Sequence, residues 1–287
     1  MASAVGDDPR GEEALAILRS HGVDVSPIQV IPSSPTGTVR VAVDSAGKPT
    51  FTIEEEVAWD QIDWTPELEA ALAAADAVYF GTLGQRSELS RQTMIRILEG
   101  AREAGTPRVL DVNLRAPFFN DELIRSSVRR AGIVKLSDEE LSAVIAACGV
   151  ENNHEPEASL RSLLNEYRLD LVVMTRGADG ALLVSADETC DQPGVPVEVR
   201  DTVGAGDSFT ASLVTGLLRG EPIPEIARKS CGLAANACMP VSSSMAGAVK
   251  VPLDFPMNCW LQNSKTRYSR SGSSPRSAKA SCCSGSP

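Results

Sequence analysis

Asp207 is an acid standing where a bound anion is expected, and that pairing is the sharpest chemical signal in the chain. It closes the string Asp201-Thr202-Val203-Gly204-Ala205-Gly206-Asp207. Beyond it Phe209, Leu213 and Leu217 fall on one face with Val214 and Leu218 beside them, the spacing of a buried helix. Gly204-Ala205-Gly206 therefore lies where a loop enters a helix N-terminus. Glycine there lets the backbone approach a ligand, and the free N–H groups and helix dipole favour an anion. An acid beside a bound phosphate can take a proton from an attacking hydroxyl, the chemistry of phosphoryl transfer. The simpler alternative is that Asp207 only caps the helix.

Strands and helices must hold that turn, and the sequence alternates them. Ala14, Leu15, Ile17 and Leu18 give helical spacing over Asp8 to His21, closed by Gly22. Thr38 to Val43 and Thr50 to Ile53 alternate around the turn Asp44 to Gly47, which predicts a β-hairpin. Helices are then expected at 67–75, 90–104, 123–130, 139–148 and 158–167. Strands are expected at 77–80, 108–112, 133–136, 170–175 and 180–184. Alternating β and α units with apolar strands imply a mostly parallel sheet sandwiched by helices.

Charge and composition narrow the function classes. A net charge of −11 argues against a nucleic-acid surface, which needs Lys and Arg to displace phosphate counterions. The 7 cysteines form no metal-ligand or disulfide spacing, which suits a reducing, cytoplasmic setting. No apolar run is long enough for a membrane span, and no signal-peptide pattern follows Met1. Residues 253–287 are rich in Ser and Arg and poor in apolar side chains after Leu261, so they are expected to be a disordered tail.

The Asp201–Asp207 string resembles the C-terminal signature of the ribokinase-like (phosphofructokinase B type) carbohydrate kinases, and the likeness extends over residues 4–252. Val5 to Gly11 resembles the family's Gly-Asp-x-x-Gly segment, and Pro35 to Val39 the start of its lid strand. Asp111 to Arg115 resembles its sugar-and-phosphate strand, Ser137 to Glu140 its Asn-x-x-Glu, and Thr175 to Gly180 its nucleotide-side turn. Asn236 with Gly247-Ala248 matches its adenine-side helix and loop. The resemblance implies a three-layer α/β/α sandwich over residues 1–252, with a small β lid at about 36–53.

It also implies roles. Asp207 would be the base for a sugar hydroxyl, with Gly204, Ala205 and Gly206 holding the transferred phosphoryl through backbone N–H groups. Arg115, Asn113 and Asp111 would meet phosphate or sugar, and Ser137, Thr175, Gly177, Gly180 and Asn236 the nucleotide. Glu140 would order Mg²⁺ through water, and Asp201 with the Val203 carbonyl would contribute to a monovalent-cation site such as K⁺. The expected partners are ATP and a small sugar, with no nucleic acid and no membrane. A homodimer paired through the lid strands and a monomer with an exposed hairpin both fit.

Val57 to Asp60 and Phe80 to Arg86 look most like fructokinase-type members, which implies fructose as acceptor and fructose 6-phosphate as product. A 2-keto-3-deoxygluconate or nucleoside kinase stays open within the same class. The family's pattern places a strand, a sugar-binding Asp and a Gly-Gly-x-x-Asn segment ahead of the position matched by Val5. Their absence from this chain predicts a sheet short of one central strand and an N-terminally truncated domain. A catalytically impaired protein that binds a nucleotide or a partner is therefore the alternative to an active kinase. Pro240 is expected to break the helix that carries Asn236.

Overall fold

Apolar residues occupy consecutive positions along the central strands, so their sheet must be covered on both faces. The computed structural model describes residues 1–43, 49–151, 155–199, 202–239 and 259–262, and meets that requirement. Its first part comprises β1 (Ser3–Gly6), α1 (Pro9–Ser20), β2 (Ile28–Ile31), β3 (Val39–Val43), β4 (Pro49–Ile53) and α2 (Pro66–Ala73). The middle runs β5 (Ala77–Gly81), α3 (Glu88–Glu103), β6 (Arg108–Asp111), α4 (Asp121–Arg130), β7 (Ile133–Ser137), α5 (Asp138–Cys148) and α6 (Pro156–Tyr167). The rest is β8 (Leu171–Thr175), β9 (Ala181–Ser185), β10 (Thr189–Gln192), α7 (Ala205–Leu218), α8 (Ile223–Cys238) and β11 (Cys259–Gln262).

The main sheet has seven strands in the order β10-β9-β8-β7-β6-β5-β11. Strands β5 to β8 are parallel, whereas β9, β10 and β11 each run antiparallel to a neighbour. Alternation along each strand sends side chains to opposite faces. Val78, Phe80, Leu110, Val134, Leu136, Val172 and Met174 pack under α2 to α6 in one core. Their neighbours Ala77, Val109, Ile133, Leu171 and Val173 pack under α7 and α8 in the other. The result is the expected α/β/α sandwich, with α7 and α8 alone on the face that carries the glycine turn.

Two small sheets stand apart from the main one. β1 pairs with β2 in parallel, and β3 pairs with β4 as the expected hairpin. Its turn at 44–48 lies outside the described residues. The two family-like segments near the start meet directly. Thr36 donates to Asp8 from both its backbone N–H, at 2.7 Å, and its hydroxyl, at 2.8 Å, while Asp8 also caps α1 through Gly11 N–H.

Several boundaries differ from the sequence reading for local reasons. β1, β2 and β10, four residues each, are absent from the strands expected from sequence. α7 begins at Ala205, because Gly204 takes a left-handed φ of 83° and starts the helix there. α8 ends at Cys238, and Met239 is extended, as the residue before a proline is biased to be; Pro240 itself lies outside the described residues. Within the tail expected to be disordered, Cys259–Gln262 instead forms β11 on the β5 edge, where it pairs backbone groups that β6 does not reach. The rest of residues 253–287 lies outside the described residues.

Candidate active site

Strands β6 and β7 change character at their C-terminal ends. On the face toward α7, Val109 is followed by Asp111 and Ile133 by Lys135, two residues on and so on the same side. Parallel sheets bind ligands at that edge, because helix N-termini and strand ends converge there. Asp111 and Lys135 are paired in register and both buried. Lys135 Nζ lies 2.8 Å from Asp111 Oδ2. The Tyr79 hydroxyl donates to the same oxygen at 3.2 Å. The Thr210 hydroxyl, on the second turn of α7, reaches both the Gly206 carbonyl at 2.9 Å and Asp111 Oδ2 at 3.3 Å.

This buried cluster carries the first turn of α7. A Cβ added to Gly206 would sit 3.5 Å from Lys135 Nζ, so the ammonium lies directly under the turn. Asp207, half-buried, follows on the same turn. Burial pushes its carboxyl above the usual carboxylate range, and the nearby negative charge of Asp111 adds to the rise. The positive charges of Lys135 and Arg115 offset part of it. A poorly solvated carboxylate on the first turn of a helix suits proton abstraction when ionised.

The loop after β6 brings the remaining polar groups to the same edge. Asn113 is held at φ 40°, a left-handed conformation that non-glycine residues seldom adopt. Arg115 is exposed, with Nη1 donating to the Leu114 carbonyl at 3.1 Å. Glu140 braces this loop to the end of β7: Oε1 accepts from Leu114 N–H at 2.6 Å and Oε2 from Ser137 N–H at 2.9 Å. Each carboxylate oxygen thus keeps a lone pair for a water, which fits outer-sphere contact with Mg²⁺. No group of three or more His, Cys, Asp or Glu able to hold a metal directly occurs among the described residues.

Ser137 and Thr175 pair in register at the ends of β7 and β8, so they share this edge. Gly177 and Gly180 follow Thr175 with φ of 54° and 92°. At Gly180 a Cβ would lie 2.1 Å from the Gln192 carbonyl oxygen. Gly180→Ala is therefore expected to cost about 2 kcal/mol or more in urea denaturation, from strain and clash together. A loss below about 0.5 kcal/mol would show that the turn yields. Asn236 lies one turn from the end of α8, exposed. α7 and α8 are packed neighbours joined by a short connection, which runs them antiparallel and brings the last turn of α8 to the same end as the start of α7. Val203 is half exposed before that turn, and Asp201 lies outside the described residues.

Lys135, Tyr79 and Thr210 were not among the residues singled out from sequence. One signal was readable: a lysine inside the apolar run Ile133-Val134-Lys135-Leu136, where charge is seldom buried without a partner. Nothing local marks Tyr79 or Thr210. Among the described residues no helix is long and apolar enough to cross a membrane.

Comparison with known proteins bears on the same region. A family model described as pfkB family carbohydrate kinase matches residues 1–244. The chain is 28% identical to a fructokinase of Salmonella typhimurium over 252 residues, covering 86% of this chain and 80% of that protein. It is also 28% identical to the aminoimidazole riboside kinase of Salmonella typhimurium strain LT2, over 90% of this chain and 81% of that one. Its fold is similar to that of an uncharacterized sugar kinase from Pyrococcus horikoshii solved with ATP, at 26% identity and a TM-score of 0.70. That match covers 84% of this chain and 77% of the other. With the family match spanning most of the 287 residues, this chain belongs to the pfkB family of carbohydrate kinases.

Proposed function

We propose that this sugar kinase transfers the γ-phosphoryl group of ATP to the 6-hydroxyl of D-fructose, with Asp207 as the base. The observation that carries this reading is the position of Asp207: on the glycine turn of α7, above the buried Lys135–Asp111 pair, with its proton affinity raised. The acceptor hydroxyl gives its proton to the Asp207 carboxylate as its oxygen forms a bond to the γ-phosphorus. The bond from that phosphorus to the β,γ-bridging oxygen breaks, and ADP leaves. Backbone N–H groups of Gly204 and Gly206 and the charge of Lys135 beneath them oppose the negative charge that builds on the transferred group, whereas the Ala205 N–H donates to the Thr202 carbonyl at 3.2 Å and shapes the turn instead. Arg115 and Asn113 stand on the acceptor side, while Ser137, Thr175, Gly177, Gly180 and Asn236 border the nucleotide. Glu140 would hold Mg²⁺ through water, and the ion would supply charge neutralisation on the phosphates.

The first experiment is ADP release with Mg·ATP, with and without fructose. Aminoimidazole riboside and 2-keto-3-deoxygluconate serve as competing acceptors, the first because its kinase is as similar as the fructokinase. Release that depends on fructose and exceeds the others supports the assignment. ATP binding without release for any acceptor sinks it in favour of a nucleotide-binding protein.

The raised Asp207 carboxyl sets a direction for pH. Its proton must be absent for it to accept another, so kcat/KM should fall on acidification through a midpoint above the usual carboxylate range. A pH–rate profile with no acid limb down to the ordinary carboxylate range would count against Asp207.

A further inference from the structure

The two segments that resemble fructokinase-type sequences, Val57 to Asp60 and Phe80 to Arg86, meet at one buried guanidinium. Arg86 follows β5 after a single helical turn, and its side chain is only 6% exposed. Nε and Nη2 pair with Asp60 Oδ1 and Oδ2, each at 2.7 Å. Nη2 also donates to the Glu54 carbonyl, at the foot of β4. Arg86 Cζ lies 3.9 Å from the centre of the Trp59 ring and 4.7 Å from that of Phe118. Trp59 in turn packs on Gly37 at the foot of β3, where an added Cβ would come within 2.2 Å of its Nε1.

One side chain therefore touches three parts of the molecule. It holds one foot of the β3–β4 hairpin directly and the other through Trp59. Through Phe118 it also touches the loop after β6 that carries Asn113 and Arg115. The Asp60 pair accounts for the charge of Arg86, but not for this placement. Nη1 remains buried with no hydrogen-bond partner, a donor left over in the arrangement described. Lysine would keep the charge and lose both the fork and the stacking plane.

We propose that Arg86 is a positioning residue that couples the hairpin to the acceptor-side loop, so that a sugar held by the loop also orders the hairpin. The coupling rests on the sugar-kinase reading given above. Arg86 touches no reacting atom; it transmits the state of the loop through Phe118 and that of the hairpin through Glu54 and Trp59.

The test is amide hydrogen exchange, read by mass spectrometry on the full chain with and without fructose, together with acceptor and ATP kinetics. Arg86→Lys removes the coupling residue, and Phe118→Leu removes only the loop side, which keeps the question open to test if the first variant folds poorly. In the parent chain fructose should slow exchange at residues 39–43 and 49–53. Both variants should lose that protection and raise the KM for fructose about tenfold, with the KM for ATP unchanged. Protection that persists in both variants overturns the coupling, as does exchange that quickens equally in β6 to β8, which is the mark of a merely structural residue. If the parent chain releases no ADP for any acceptor, the kinase reading fails instead. The ligand-free exchange of the hairpin then decides the anchoring by itself: about tenfold faster in Arg86→Lys sustains it, and an unchanged rate rejects it.

Discussion

Asp207→Asn is expected to lower acceptor-dependent ADP release by about three orders of magnitude, the scale of a lost general base. ATP affinity should stay within a few-fold, because the substituted group acts on the attacking hydroxyl rather than on the nucleotide. Stability should not fall. Burial and Asp111 raise the Asp207 carboxyl, so its ionised form is worse off in the folded chain than in the unfolded one. That cost is present at neutral pH, where both states are ionised, and disappears on acidification through the raised folded-state titration and below the unfolded one. A neutral Asn removes it. The measurements are steady-state kinetics, calorimetric ATP binding and urea denaturation on the same preparation. A variant that keeps a tenth of the parent rate would show that the proton leaves by another route.

Lys135→Met is the second large effect. Both members of the Lys135–Asp111 pair are buried, with side chains 9% and 4% exposed. Among the described residues, removing the ammonium leaves Asp111 with the hydroxyls of Tyr79 and Thr210. Breaking a buried pair from one side typically costs about 3–5 kcal/mol, most of it the uncompensated charge. Lys135→Met should fall in that range by urea denaturation, and adding Asp111→Asn should restore much of the loss. If the double variant is no more stable than the single one, the charge is being solvated by some other route.

The same pair ties stability to rate. Lys135 lies under Gly206, where the proposed mechanism has charge build during transfer, and its loss should lower kcat even in molecules that remain folded. It should also raise the acid limb of the pH–rate profile, because Lys135 is one of the charges holding the Asp207 carboxyl down. Asp111→Asn alone should move that limb the other way. Opposite shifts from the two partners are a signature that general loss of stability cannot produce.

Much of the framework was legible in the chain. Helical spacing after Asp207, the alternation around Asp44 to Gly47 and the apolar strand runs are local signals, because periodicity is imposed by each element's own geometry. The short strands β1, β2 and β10 were not; β1 (Ser3–Gly6) and β10 (Thr189–Gln192) in particular carry too few large apolar side chains to mark a buried face. β11 was missed because residues 253–287 were read as one tail from the polar, Ser-rich stretch after Leu261, although Cys259-Trp260-Leu261 at its start are apolar. The glycines at 177 and 180 read as turn chemistry, and the structure adds the Gln192 carbonyl that leaves no room for a side chain at Gly180.

The sequence by itself determined the chemistry-bearing turn: glycines that open a helix N-terminus to an anion, and an acid placed on its first turn. Tertiary structure decided what that turn rests on. Thr210 and Asp111 are 99 positions apart, Lys135 and Asp111 are 24 apart, and Glu140 reaches Leu114 across 26. Only the parallel register of β6 and β7 and the packing of α7 over them bring these groups within hydrogen-bond distance. Local periodicity states which face a side chain takes; it does not state which strand lies beside it, and the partners of Asp111, Glu140 and Arg86 are set by that second choice.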